Sequence, residues 1–377
     1  MQIGFDAKKI VANLTGIGNY SRGVVTMLSG CFPENKYLLF APGKGREECT
    51  SRLRPSPNVS FVYSPHSSSL LREWWRCRGM VKDIRRAGID LFHGLSNELP
   101  FGIRKAGCKS VVTIHDLIFL RLPETYGFLA RAILKTKTRY ACRHADRIIA
   151  ISRQTKQDIM AFYGIPEEKI SIVYQGCDRI FYRQVSDDEL HDVQVRYALP
   201  SRYLLCVGTF EPRKNQLTAL RALAQLDADD IRLVLVSKRT AYQAVLEKEI
   251  ADLGLQQRVH VLNDVPNGDL PALYRGSHAF LYLSCFEGFG IPVLEALVSG
   301  TPVIAATGSC LEEAGGPDSL YCAPYDHHRV AEHIRYLYDH PDRRAEIIEA
   351  GRRYARRFDE KRLADDMQAI YQEVIYL

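Results

Sequence analysis

The sequence contains no apolar run long enough to cross a bilayer, no low-complexity tract and no short-period repeat. Its ten cysteines include no C-x-x-C pair and no Cys/His cluster at zinc spacing. These absences exclude a spanning helix, a solenoid and a zinc module. They fit reduced thiols packed as small apolar groups in a cytosolic protein. Charge of one sign is also scarce in excess: 50 Lys and Arg against 44 Asp and Glu leave +6. So mild a balance names no partner by itself, although its placement matters. The chain opens on the strand-like Ile3-Gly4-Phe5, so no signal peptide is expected. With 46% hydrophobic and 25% charged residues, disorder is excluded.

What is present is a long alternation. At 377 residues the chain exceeds one core of usual size, and two domains are expected. Seven short apolar runs occupy the first half, around Phe5, Leu39, Phe61, Phe92, Val112, Ile149 and Ile172. Six occupy the second, around Leu205, Leu235, Val261, Leu281, Ile304 and Tyr321. Continuous apolar strands alternating with helical patterns imply α/β domains with parallel sheets covered on both faces. Two Rossmann-like, doubly wound domains follow, joined through the polar segment 176–189. Ligands of such sheets bind beyond the carboxyl ends of the strands.

The most informative stretch runs from Cys285 to Leu297. An apolar strand precedes it, Gly288-Phe289-Gly290 makes a turn, and Pro292 suits the first position of a helix that Gly300 can close. Such a turn aims backbone N–H groups at an anion, helped by the positive end of the helix dipole. Glu287 sits in the turn and Glu295 one helical turn on, seven residues apart. Amides around Gly290, Ile291, Val293 and Leu294 can hold a phosphate. Glu295 can accept hydrogen bonds from ribose hydroxyls, and Glu287 can reach a sugar on the other side. The alternative is a solvated glutamate beside an ordinary turn; the agreement of strand, both acids, Pro292 and Gly300 favours a nucleotide-sugar.

Other stretches fall after strands as well. Gly16 and Gly18 open a helix, but the dinucleotide fingerprint lacks its third glycine, so NAD binding is not inferred. His115 and Asp116 stand at the carboxyl edge of a strand. His115 can donate to a sugar hydroxyl or cap a nearby carbonyl, and the residues alone do not separate the two. His93, similarly placed, reads as part of a cleft wall. Arg213 and Lys214 offer a planar fork and a point charge, both suited to a diphosphate. Cations at a helix start oppose the dipole and need a reason to be there, which an anionic ligand supplies. Asp227-Ala228-Asp229 suggests a metal-binding Asp-x-Asp but lies on the wrong side of the sheet, so it reads as a turn, and no metal is expected.

Glu287-x7-Glu295 within Phe286-Glu287-Gly288-Phe289-Gly290 resembles the signature of retaining GT-B glycosyltransferases of family 4 (glycosyl transferases group 1). The Gly16–Tyr20, His115-Asp116 and Glu211–Asn215 stretches resemble those of bacterial O-antigen and capsule mannosyltransferases. The resemblance implies an acceptor-side domain over 1–178, a nucleotide-sugar domain over 179–357 and a terminal segment 358–377 crossing back to the first. It implies catalytic roles for Glu287, His115 and Asp116. It places Gly16, Gly18, Arg213, Lys214, Val265, Gly288, Phe289, Gly290, Ile291, Val293, Leu294 and Glu295 on the donor, with Val265 beside the base. Thr209 stands where many members carry arginine, and Arg213 is expected to take that role.

The implied chemistry is same-face transfer, with no metal and no cofactor, from GDP-mannose or, as runner-up, a UDP-sugar. The implied acceptor is a growing glycan, lipid-linked, at the cytoplasmic face. A nucleotide-sugar epimerase, a pyridoxal-dependent phosphorylase and a non-catalytic nucleotide-sugar-binding protein are the alternatives. Two basic segments, 70–82 with both tryptophans and 131–147, either rest peripherally on an anionic membrane or pack as amphipathic helices. The second accounts better for the fold. No nucleic-acid module is recognisable.

Overall fold

The computed structural model describes residues 1–228 and 230–376. Asp229 of the Asp-x-Asp stretch therefore lies outside the described residues; Asp227 and Ala228 lie in an irregular segment before a strand. The chain divides into two compact units, one of Met1–Gln175 with the segment from Phe358 onward, the other of Gly176–Arg357.

The first unit holds seven strands: β1 (Gln2–Asp6), β2 (Lys36–Ala41), β3 (Val59–Tyr63), β4 (Leu91–Gly94), β5 (Lys109–Ile114), β6 (Arg147–Ala150) and β7 (Ile170–Ile172). Their order is β3-β2-β1-β4-β5-β6-β7, and the pairs are parallel. Ile3 pairs with Tyr37 on one side and Leu91 on the other. Successive strand residues face opposite sides, so Leu39 and Leu91 join one core layer while Phe40 and Phe92 join the other. Both layers are buried, which is why these strands read as continuous apolar runs.

The second unit holds β8 (Tyr203–Val207), β9 (Arg232–Ser237), β10 (Val259–Asn263), β11 (Ala279–Tyr282), β12 (Val303–Ala306) and β13 (Leu320–Cys322), ordered β10-β9-β8-β11-β12-β13 and parallel. The order reverses between β1 and β4 in one sheet and between β8 and β11 in the other. The loops leaving these neighbouring strands therefore diverge and leave a crevice at the sheet edge of each unit.

The segment 176–189 is not a bare linker. It belongs to the second unit, carries a 3-10 turn at Arg179–Tyr182, and buries Phe181 against Tyr274.

The last helix, Glu360–Tyr376, contributes Leu363, Met367, Tyr371 and Val374 to a core layer of the first unit. His93 sits at its contact with the sheet. Its Nδ1 lies 2.6 Å from the Tyr371 hydroxyl and its Nε2 2.8 Å from Thr113 Oγ1. Fully buried, His93 is a structural tie rather than a wall residue. Tyr371→Phe strands its Nδ1 in an apolar layer. The expected loss is about 1–3 kcal/mol, read as a lower melting temperature; an unchanged melting curve would contradict this role for Tyr371.

Candidate active site

The site of the second unit is built by two loops that leave adjacent strands. After β11 the chain turns through residues 283–290 and enters the helix Ile291–Ser299. Gly290 caps it at φ 110°, and a Cβ there would stand 2.7 Å from Leu311 Cδ2, so glycine is required twice over. Pro292 is the second helical residue rather than the first, and Gly300 closes the helix at φ 78°. Pro292 has no N–H, while the N–H groups of Val293 and Leu294 both donate to the Gly290 carbonyl. The helix start therefore offers an anion the Gly290 and Ile291 amides, a narrower set than Gly290 to Leu294.

After β8 the chain runs through Gly208 and exposed Thr209 into a 3-10 turn, Pro212–Lys214. The left-handed Asn215 (φ 56°) then starts the helix Gln216–Ala224. The two loops are sewn together by the Cys285 amide on the Arg213 carbonyl at 2.8 Å. That contact brings three charged groups into one cluster. Glu287 Oε1 lies 2.6 Å from Lys214 Nζ and 2.9 Å from Arg213 Nη1, and it accepts from the Tyr282 hydroxyl at 3.2 Å. Arg213 also donates to the Phe286 carbonyl and pairs with Glu211. Burial raises the Glu287 carboxyl, but Lys214 and Arg213 outweigh it and hold the group at about 2. The cations thus already have partners in the protein, a reason for their place that a ligand alone does not supply.

Glu295 has different company. It is half-buried, and its Oε2 accepts from Tyr274 at 3.0 Å. Burial pushes its carboxyl up to about 7; Tyr274 opposes this and the Asp178 carboxylate adds to it. The two glutamates of the motif thus depart from an ordinary carboxylate in opposite directions, Glu287 downward by its cations and Glu295 upward by burial. Val265 is half-buried beyond β10, after the left-handed Asp264 (φ 57°). Gly288 and Phe289 lie in the turn between Glu287 and Gly290.

In the first unit the helix Gly16–Cys31 begins at Gly16, with Thr15 as its cap. A Cβ on Gly18 would stand 2.0 Å from the Asn13 carbonyl oxygen, so the chain's own backbone requires that glycine. Gly16 has open space beside it. The Asn13 side chain accepts from the amides of Thr15 and Gly18, and buried Arg22 donates to the carbonyls of Ile10 and Asn13. His115 follows β5 and is buried. Its Nε2 donates to the Leu95 carbonyl at 2.8 Å, and its Nδ1 accepts from Gln175 Nε2 at 3.0 Å. Burial lowers its pKa to about 4. The ring is neutral and both nitrogens are committed inside the unit, the carbonyl-capping arrangement. Asp116 Oδ1 caps the Ile118 amide at 3.1 Å.

Tyr282, Tyr274, Glu211, Asn13 and Arg22 escaped sequence reasoning. For the two tyrosines a weak signal existed: a hydroxyl-bearing ring inside an otherwise apolar run must find a partner. Among the described residues no group of three or more His, Cys, Asp or Glu side chains is placed to hold a metal ion. None of the ten cysteines is paired in a disulfide. Among the described residues no helix is long and apolar enough to cross a membrane.

Comparison with known proteins accounts for this geometry. Residues 187–354 match the family model described as Glycosyl transferases group 1, and residues 24–180 match Glycosyltransferase Family 4. The O-antigen chain mannosyltransferase RfbU of Salmonella typhimurium is 26% identical over 320 residues, 82% of this chain and 77% of that protein. The O-antigen chain mannosyltransferase B of Escherichia coli is 27% identical over 347 residues, 89% of this chain and 90% of that one. Among solved structures, Anabaena Alr3699/HepE in complex with UDP and glucose superposes with a TM-score of 0.78 at 19% identity, over 99% of this chain and 100% of that one. A glycosyltransferase from Rickettsia africae gives 0.77 at 17% identity, over 99% and 98%. With both halves of the chain matched in sequence and the whole matched in fold, the protein belongs to the family 4, group 1 glycosyltransferases and has the GT-B fold.

Proposed function

We propose that this glycosyltransferase moves mannose from GDP-mannose to a growing surface glycan, such as a lipid-linked O-antigen or capsule chain, at the inner face of the cytoplasmic membrane. It does so with retention and without a metal ion. The carrying observation is the convergence of Arg213 and Lys214 on Glu287, in the turn that leads into the helix start at Gly290 and Ile291. Lys214 directs two N–H bonds at Tyr282 and Glu287, which leaves a third for a phosphate oxygen. As the sugar–oxygen bond breaks, charge grows on the departing diphosphate. Fixed cations and amides stabilise that charge more than they stabilise the bound donor, which is what accelerates transfer. The leaving phosphate takes the proton of the acceptor hydroxyl on the same face, and Glu287 holds sugar hydroxyls. His115 and Asp116 act within the first unit, where the fixed ring and the capped turn hold its loops in place.

Mannose is supported by the two O-antigen mannosyltransferase relatives. The UDP complex of Anabaena HepE supports a UDP-sugar as second reading. A thermal-shift panel of nucleotide-sugars separates them, since bound donor raises stability by mass action. GDP-mannose is expected to give the largest shift and, with acceptor, a mannosylated product. A shift from UDP-sugars alone would reassign the donor, and no shift from any nucleotide would end the reading. Product formed from donor with no acceptor present would indicate an epimerase.

Glu295 adds a pH signature. Hydrogen bonds from ribose hydroxyls favour its ionised form and lower its pKa from about 7. Donor binding below that pH therefore releases a proton, and affinity climbs as pH rises toward 7 and levels off above it. The diphosphate of a nucleotide-sugar does not titrate in this window. Calorimetry in buffers of different ionisation heat measures the release, which Glu295→Gln is expected to remove.

A further inference from the structure

The structure divides each basic segment of the first unit into a buried and an exposed side. Along Ser69–Ala87, Trp75, Met80 and Ile84 enter the core, and the chain passes through a π-helical turn at Trp75–Gly79. In the helix Phe128–His144, Ala141 and Cys142 enter the same core layer. The two elements also touch at the surface, where Lys137 Nζ lies 3.8 Å from Glu73 Oε1. Packing therefore accounts for one side of each element, as the amphipathic reading expects. It leaves the other side unexplained.

That side is apolar. Leu70 is 83% exposed, Phe128 81% and Leu129 72%; Leu71, Trp74 and Ile133 are exposed as well. Leu70 stands one helical turn before Glu73 and Ile133 one before Lys137, so each apolar set has a member one turn from the Glu73–Lys137 contact. Single exposed apolar residues are ordinary; six on two touching elements are not.

The surroundings identify the occupant. Phe128–His144 carries five Lys and Arg and no acid; Ser69–Ala87 carries six against two. Together these elements hold an excess of nine positive charges in sequence, of which Arg76 is buried against Asp6 and Glu98 and Lys137 lies on Glu98, so seven remain for the surface. Lys135 and Arg139 lie seven and eleven positions after Phe128, on its helical stripe, and both are exposed. A second copy of the chain meeting this face across a two-fold axis would set two basic surfaces together. A nucleic acid gives exposed Leu and Phe no place. An anionic bilayer answers both features: its acyl boundary takes apolar side chains and its phosphates take the cations.

We propose that this face of the first unit docks on a membrane surface rich in anionic phospholipid, inserting the Phe128–Leu129 and Leu70–Trp74 ends. The inference deepens the reading of a lipid-linked acceptor, on which it rests for its purpose.

The test is sedimentation of the full chain with vesicles of phosphatidylcholine, alone or mixed with phosphatidylglycerol. Binding is expected on the mixed vesicles, weakened by salt. The double substitution Lys135→Gln, Arg139→Gln is expected to weaken it on the order of tenfold or more. Phe128→Ser, Leu129→Ser weakens it with the charges kept. Both pairs are exposed, so folding is unaffected, and the donor-induced thermal shift is expected to persist. Loss of vesicle binding with that shift intact supports this inference. Absence of the shift in the unsubstituted chain is a failure of the donor reading instead. Equal binding to both vesicles, no binding, or self-association abolished by the same substitutions would overturn the proposal.

Discussion

Glu287→Gln is expected to abolish transfer, to weaken the empty protein and to leave nucleotide-sugar binding close to intact. The substitution keeps shape and removes one charge. In the empty protein that charge faces Lys214 at 2.6 Å and Arg213 at 2.9 Å, in a site where all three side chains are only 12–15% exposed. Stripping one partner from such a group leaves uncompensated cations and costs about 3 kcal/mol. A diphosphate restores the missing negative charge, so donor is expected to raise the melting temperature of the variant by more than that of the parent. With Glu287 in its proposed place against the sugar, transfer is expected to fall by roughly two orders of magnitude or more. The pH dependence carries a second mark. The Glu287 carboxyl is held at about 2, below its ordinary 4.5, so its stabilisation is present above 4.5 and lost as pH falls toward 2. The variant lacks that acid-side loss. Full transfer by Glu287→Gln would end the assigned role.

The contrast between what was legible and what was not follows from how the cluster forms. The central strands announce themselves most clearly because both their faces are buried, so apolar residues run without interruption, as in β11 and β12; the edge strands β3 and β10 are only half-covered and carry Ser60 and His260 within the run. The helix start at Gly290-Ile291-Pro292 and its stop at Gly300 were legible because backbone geometry there restricts the residue type. The pairing of Arg213 and Lys214 with Glu287 was not. It depends on β8 and β11 being neighbours, a fact of strand order that no local pattern encodes. The cations looked as though they awaited a ligand, because the carboxylate they share lies more than seventy residues away in sequence. His115 shows the same limit. A histidine at a strand end reads alike whether its nitrogens face a ligand or, as here, Leu95 and Gln175. Gly16 and Gly18 look equivalent in sequence, yet the Asn13 carbonyl explains only the second.

The same cluster separates folding from chemistry when its cations are removed. Arg213→Met frees the Phe286 carbonyl and Glu211 and leaves Glu287 with Lys214 and Tyr282. Lys214→Met leaves it with Arg213 and Tyr282. Each is expected to lower kcat/KM by about a hundredfold to a thousandfold, since in the proposed mechanism each removes a fixed charge from the leaving diphosphate. In the double variant the burial that raises the Glu287 carboxyl acts unopposed by either cation. Its pKa then climbs above the ordinary value, and the stability the group contributed is lost. Adding Glu287→Gln to that double variant removes the last of the three buried charges, and Glu211, the other partner of Arg213, is 37% exposed and turns to solvent. A buried ion cluster replaced as a whole by uncharged groups of similar size is often neutral in stability, whereas a broken one is not. The triple variant is therefore expected to melt within a few degrees of the parent and yet transfer no sugar. Melting curves and a transfer assay on the five proteins test this together. If activity returned along with stability, the cluster would be a structural brace, and the diphosphate would have to be held elsewhere.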